Sequence, residues 1–524
     1  MKIIKRSICI SIVAIMLLMS LTSCGFIFDL IKTGNEQESN ESDVVDNTTS
    51  GSDNETESTI ETDKYGQPVY ADPTAGYNGN GQTINILVRS GDQYIREWYV
   101  DQPASNIDQK VYTRNQAVQS ALNIRLNYIP QSEGADNEEF FQKVTNVGFS
   151  GLGGIDVVSA FAAYATNQDA MSFYVNWFDQ AKLPYLNLDN QYWNQNFKND
   201  AQAFGKLYVN VGDMNLSVYD RCMVVFFNKA LAESYIEDSN GDEIDLYELV
   251  QSGEWYYDTF YEMIKDVYED TGTNVGERDN NDFYGVTGIL GSEAPDSFLY
   301  SFGGAMTTTA DDGTHSLASD SAFVKLGEIY ESMIEFWYSP GAIMPTSSYT
   351  NYDIFTGGYA LFTVDVVWHY NEGLVKLHAM SDGYGIIPMP KYNEDQDNYI
   401  TGVQDAHNVL SIMDCGASQD FEMISAVLEK MAHYSYSNVR SYYVENILKS
   451  QNMDYNSATC FNYVLNGIRW DFADVYNTSL GKLRESLWRS PFKANSGFDA
   501  RWQTYSKKYN NALADLDAWL IAQN

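Results

Sequence analysis

Ile84-Asn85-Ile86-Leu87-Val88-Arg89-Ser90-Gly91-Asp92 is the stretch on which the fold turns. A short run rich in Ile, Leu and Val that stops at a polar, glycine-containing turn has the length and composition of a strand. Beyond it the period changes. Asn106 to Leu122 brings Ile107, Val111, Val118 and Leu122 to one side of a helix. Ile124-Arg125-Leu126-Asn127-Tyr128 alternates again as a strand, Phe140 to Val147 reads as a helix, and Ile155-Asp156-Val157-Val158 as a buried strand. Strand-helix-strand units at this spacing predict a parallel sheet with right-handed crossovers, an α/β fold. Farther on, Trp255 to Tyr268, Ser321 to Tyr338, Phe421 to Met431, Asn438 to Leu448 and Ala500 to Ile521 carry amphipathic helical patterns. The 524 residues suggest two or three structural units, and no internal repeat is visible.

Upstream of this body the character changes twice. Asn35 to Asp63, NEQESNESDVVDNTTSGSDNETESTIETD, is acidic and almost without large apolar residues. It cannot bury enough surface to offset its ordering entropy, and its like charges extend it. Residues 24–83 are therefore expected to form a flexible acidic linker, with order beginning near Ile84. Before it, Met1-Lys2-Ile3-Ile4-Lys5-Arg6 is basic, and Ile8 to Leu21 is apolar but shorter than the roughly 20 residues of a spanning helix. That arrangement describes an export signal over 1–23. Its end, Leu21-Thr22-Ser23-Cys24-Gly25, resembles the lipobox of bacterial lipoproteins. The resemblance implies that Cys24 receives a diacylglyceryl group and becomes the mature N-terminus, anchoring an extracytoplasmic protein to the membrane of a bacterium, of Gram-positive type. Each buried methylene contributes about 0.8 kcal/mol to such an anchor.

The net charge of -39 argues against nucleic acid as a partner, since phosphates demand a basic face. Losing Lys2, Lys5 and Arg6 with the signal makes the mature chain more negative still. Cys9 leaves with the signal and Cys24 is lipidated, so Cys222, Cys415 and Cys460 remain. With no C-x-x-C spacing among them, they are expected to be free and mostly buried thiols. The histidines form no H-E-x-x-H or Cys/His cluster, and neither a metal nor a cofactor is expected. Asp238-Ser239-Asn240-Gly241-Asp242 hints at a calcium loop, but the sixth and twelfth positions of such a loop would be Glu243 and Leu249, so it reads as an acidic turn. Gly148 to Gly154 lacks G-K-[ST] and leads into a strand, which excludes a phosphate loop.

Several stretches taken in order carry a resemblance. They are Gly154-Ile155-Asp156-Val157-Val158, Gly205-Lys206-Leu207-Tyr208, Phe226-Phe227-Asn228-Lys229, Phe355 to Phe362 (FTGGYALF), and Tyr384-Gly385-Ile386-Ile387-Pro388-Met389-Pro390. This succession resembles the extracellular solute-binding proteins of carbohydrate ABC transporters, the maltose-binding-like family, from about Ile84 to the C-terminus. The proline common after G-K-L-Y is replaced here by Asn210-Val211-Gly212-Asp213. The resemblance implies a two-lobed, type II periplasmic-binding-protein-like fold over 84–524 with a ligand cleft between the lobes. The first lobe is expected from 84–215 plus 357–405, the second from 216–356 plus 406–524. It further implies a monomer that captures a carbohydrate, such as an oligosaccharide, by closing on it, and passes it to ABC permease subunits without catalysis.

Cleft-facing candidates are then residues at strand ends: Arg89, Ser90 and Asp92; Phe161 and Tyr164; Asp213, Tyr219, Asp220 and Arg221; Asp365, Trp368 and His369; and Gln404 and Asp405. Carboxylates, amides and guanidinium groups can each hold adjacent hydroxyls, and an aromatic face covers the C–H face of a pyranose. Structural ion pairs and core aromatics are the competing roles. Trp368 leads as a stacking platform. Two other functions fit the chain: a surface glycoside hydrolase, which needs two carboxylates roughly 5 to 9 Å apart, and the solute-binding part of a sensor.

Overall fold

A computed structural model describes residues 68–523 except 239, 273–274, 292, 348, 368–375, 417–418 and 449–454. The stretch at Ile84 behaves as its composition requires. Strand β1 (Gln82–Arg89) lies between β2 (Ile124–Gln131) and β3 (Val157–Phe161), parallel to both. The helices Asn106–Leu122 and Glu138–Ser150 make the crossovers. Ile84, Ile86, Leu87 and Val88 are all buried, as expected for a parallel strand covered on both faces. Ser105 and Asp108 form a capping box at the start of the first helix, and Asn123 ends it with φ 48°. A fourth strand, β13 (Asn408–Ile412), joins antiparallel to β3, giving the order β13-β3-β1-β2.

The second sheet has the order β11-β4-β10-β6-β5, from β4 (Met223–Asn228), β5 (Tyr268–Glu269), β6 (Phe283–Gly288), β10 (Ala360–Val366) and β11 (Tyr384–Pro388). β9 (Ala342–Ile343) lies beside β6. β7 (Thr307–Thr309) and β8 (His315–Leu317) form a separate hairpin, and β12 (Thr401–Gly402) pairs with β14 (Ile468–Arg469). Phe355, Ala360, Leu361 and Phe362 are buried around a turn in which Gly358 takes φ +79°, so this stretch is core, as its composition suggested.

Strand pairing divides the chain differently from the expected lobe boundaries. Residues 357–405 do not join the first lobe. β10 and β11 flank β4 on its two edges, because their apolar residues Leu361, Phe362, Ile386 and Ile387 complete the second core. Nor do 406–524 fall wholly in the second lobe. β13 extends the first sheet, and the helix Phe421–Ser435 packs on Asn106–Leu122. The chain leaves the first sheet and returns to it side by side: Cys222 bridges Val403, and the Gln404 amide donates to the Arg221 carbonyl at 2.8 Å. The C-terminal segment touches both lobes. Thr166 donates to the Val475 carbonyl at 2.7 Å on one side, and Trp488 to the Pro295 carbonyl at 2.8 Å on the other.

Order also begins earlier than Ile84. Tyr70 packs edge-on against Tyr192 at 5.3 Å, Tyr77 against Tyr185 at 5.3 Å, and Asp72 pairs with Lys430. Residues 70–83, expected to belong to the linker, are therefore part of the ordered body, because Tyr70 and Tyr77 supply aromatic burial there. The signal, Cys24 and the acidic stretch lie outside the described residues. Cys222, Cys415 and Cys460 are buried and form no disulfide among the described residues. The helix expected over Trp255–Tyr268 covers only Tyr257–Ile264, since Tyr268 enters β5.

Candidate functional site at the facing strand ends

The carboxyl ends of β1 and β3 and the start of β13 meet the polypeptide crossing at Arg221 and Gln404. Open α/β sheets bind ligands beyond such strand ends. Arg89, the last residue of β1, is buried. Its guanidinium donates to Glu133 at 2.7 Å, to the Ala406 carbonyl at 2.9 Å and to the Asn408 side chain at 3.0 Å. The same group lies 3.3 Å from the Tyr94 ring centre and 4.3 Å from that of Phe161. Arg221 donates to Gln404 at 2.8 Å and to the Tyr94 hydroxyl at 3.2 Å. Gln404 in turn donates to Glu293, at the start of the second-lobe helix Glu293–Ser301. Phe161 packs on Tyr164 at 5.2 Å, and Tyr164 donates to Asp136 at 3.2 Å. Two half-buried phenol rings, Tyr94 and Tyr164, thus sit among planar, hydrogen-bonding side chains.

Asp405 belongs to a second cluster beside the first. It pairs with Arg484 and, at 3.0 Å, with Arg489. Arg484 also meets Asp474 at 2.6 Å and Asp296 at 3.7 Å, and Arg489 meets Asp296. These groups tie the crossing, the Glu293–Ser301 helix and the C-terminal segment together. A cavity of about 10 Å³ between them, with Asp405, His407, Asp474 and Arg484 in its walls, has room for one water.

Burial alone would raise the Asp405 carboxyl, but Arg489 and Arg484 outweigh it and hold it at about 2 against an ordinary 3.8. The depressed value means that Asp405 stabilises the fold above pH 4 and that this contribution is lost as pH falls through 2, roughly 2–3 kcal/mol in all. Asp405→Asn should flatten that acid limb. Urea unfolding of both proteins between pH 4 and pH 2 checks it, and parallel pH profiles would refute the assignment.

The remaining candidates are placed elsewhere. Tyr219 donates to Asp213 at 2.6 Å, Asp213 lies 3.6 Å from Arg440, and Tyr443 donates to Asp220. These are buried contacts within the first lobe, and they give Asp213, Tyr219 and Asp220 structural roles. Asp365 is buried at the end of β10, accepting from Asn351 at 2.6 Å. The Asp92 side chain, Trp368 and His369 lie outside the described residues.

Sequence reasoning missed Tyr94, Glu293, Asp296, Arg484 and Arg489. A signal existed for the last two. Arginines spaced through the final segment of a chain with 71 acidic and 32 basic residues invite buried carboxylate partners.

No family model matches the sequence, and no curated protein matches it. Solved structures do. The GacH receptor of Streptomyces glaucescens, described unliganded and with acarbose, is 14% identical and has a TM-score of 0.50, over 83% of this chain and 99% of that one. This chain has the two-lobed, type II periplasmic-binding fold. A sugar transporter protein from Rhizobium etli in an open conformation is 13% identical with a TM-score of 0.52, covering 82% of this chain and 99% of its own. An ABC-transporter-associated binding protein from B. animalis subsp. lactis Bl-04, in complex with beta-1,6-galactobiose, is 13% identical with a TM-score of 0.50, over 84% of this chain and 98% of its own. These three proteins are described as a receptor, a sugar transporter protein and a transporter-associated binding protein. Among the described residues no helix is long and apolar enough to cross a membrane.

Proposed function

We propose that this is an extracytoplasmic solute-binding protein, held to the cell membrane through a lipid on Cys24, that captures a carbohydrate between its lobes and delivers it to an ABC permease. The observation that carries the reading is the set of groups at the facing strand ends. Arg89, Tyr94, Phe161 and Tyr164 come from the first lobe and Glu293 from the second, with Arg221 and Gln404 on the crossing between them. A ligand touching both sides favours the closed form, and the paired crossing segments are suited to act as its hinge. The binding-protein folds to which the chain is similar support the same reading. No catalytic role is assigned, and the protein acts as a monomer.

A thermal-shift screen across mono- and oligosaccharides, followed by calorimetry on the best of them, tests the function. Saturable binding without turnover is expected. Release of products from a glycan by the wild-type protein would instead support a surface glycoside hydrolase.

The anchor has its own test. Cys24→Ala should move the protein from the membrane fraction to the soluble one, or leave an uncleaved precursor. Unchanged mass and unchanged fractionation would refute lipidation.

A further inference from the structure

A second pocket, of about 370 Å³, lies outside the site at the strand ends. That volume is in the range of small-molecule sites. Its walls come from three places: the end of the helix Gln195–Ala201 and the turn after it in the first lobe, the β7–β8 hairpin between second-lobe elements, and residues 470–472 of the C-terminal segment. Trp470 also lines the small cavity beside Asp405 and Arg484, so one indole separates the pocket from the ion-pair cluster.

The lining has a definite chemistry. Trp470, Phe472 and Phe204 supply aromatic surface, and Asn199, Gln202 and Thr309 supply exposed amide and hydroxyl groups. The aromatic wall is rigidly set. The His315 ring stacks on Phe472 at 3.7 Å and 6° and is held by Asp517 at 2.7 Å. Phe204 sits at φ 52°, a region a bulky side chain seldom occupies, and its ring meets His315 edge-on at 6.1 Å. The Trp470 backbone donates to Asp200 at 3.1 Å, while its buried indole N–H has no partner among the described residues. Asp471 is spent on the Met306 amide and the Thr307 hydroxyl. Asp200 and Asp471 with no Lys or Arg in the lining disfavour an anion, and among the described residues no group of three ligating side chains could hold a metal. Aromatic faces alternating with neutral donors and acceptors suit a neutral, hydroxyl-rich molecule.

We propose that this pocket is a second binding site, for a neutral polyhydroxylated molecule such as a monosaccharide, whose occupant touches both lobes and so biases their opening. The proposal does not depend on the ligand at the strand ends being a sugar.

Hydrogen exchange on the whole protein, without and with saturating D-glucose, D-galactose or D-mannose, tests it. Slowed exchange in Asn199–Phe204 and Ala305–His315 is expected with at least one of them. That protection should be lost in the double variant Gln202→Leu, Thr309→Val; should that protein unfold, Gln202→Leu alone serves, since the side chain is exposed. Protection should persist in Trp368→Ala, which addresses the cleft. Absence of protection in these segments with all three sugars overturns the proposal. Protection that survives the pocket variants, or vanishes in Trp368→Ala, also overturns it, since the segments would then report cleft closure alone. A failure of the cleft reading would show separately, as absence of any Trp368-dependent binding.

Discussion

Arg484→Met is expected to lower folding stability by about 3–5 kcal/mol, the usual cost of removing one partner from a buried charge network. The side chain is 1% exposed and serves Asp474, Asp405 and Asp296 together. Methionine fills most of the volume but offers no charge, so carboxylates gathered from the crossing, the Glu293–Ser301 helix and the C-terminal segment face one another with only Arg489 to compensate. Urea unfolding should show a lower midpoint at unchanged slope. Lys482→Met is the control. Its pair with Asp136 at 3.2 Å is exposed on both sides, and its loss should leave the urea midpoint close to that of the wild type. An Arg484 effect as small as the control's would mean that the cluster does not bind the lobes together.

Trp368→Ala is expected to weaken carbohydrate binding by about 5- to 150-fold, or ~1 to 3 kcal/mol, by analogy with the loss of an aromatic platform under a stacked nucleic-acid base. The end of β10 is tied to the crossing, where the Val367 amide donates to the Cys222 carbonyl at 3.2 Å. Trp368 is the next residue, and an indole offers the widest flat face a protein can present to a pyranose. Calorimetry with the best sugar from the screen, on wild type and variant with matching circular dichroism, measures the effect. Equal affinities would remove Trp368 from the site.

Local patterning made part of the fold legible in the sequence. The apolar runs at Ile84–Val88 and Ile155–Val158 and the alternation at Ile124–Tyr128 are read residue by residue, and so is the helical spacing of Ile107, Val111, Val118 and Leu122. The paired strands and the crossover helix agree with that reading. Arg89, Phe161 and Tyr164 were reachable for the same reason: a strand's last residues can be named once the strand is known. Tyr94 was missed because it lies a few residues past that end, in a short helix without a periodic signal.

The amino-acid sequence by itself therefore determined the α/β class, the parallel start of the first sheet, the buried thiols and the strand-end residues. Only the tertiary structure decided which lobe owns 357–405, since β10 and β11 look equally suited to either core until β4 is seen between them. It alone separated Arg221, Gln404 and Asp405, at the crossing, from Asp213, Tyr219 and Asp220, buried in first-lobe contacts. It alone brought Arg484 to Asp405 across 79 residues of chain. Local pattern reports which face of an element is apolar. Charge partners distant in sequence are chosen by the closing of the whole chain, because a buried guanidinium is stable only where the fold happens to gather carboxylates around it.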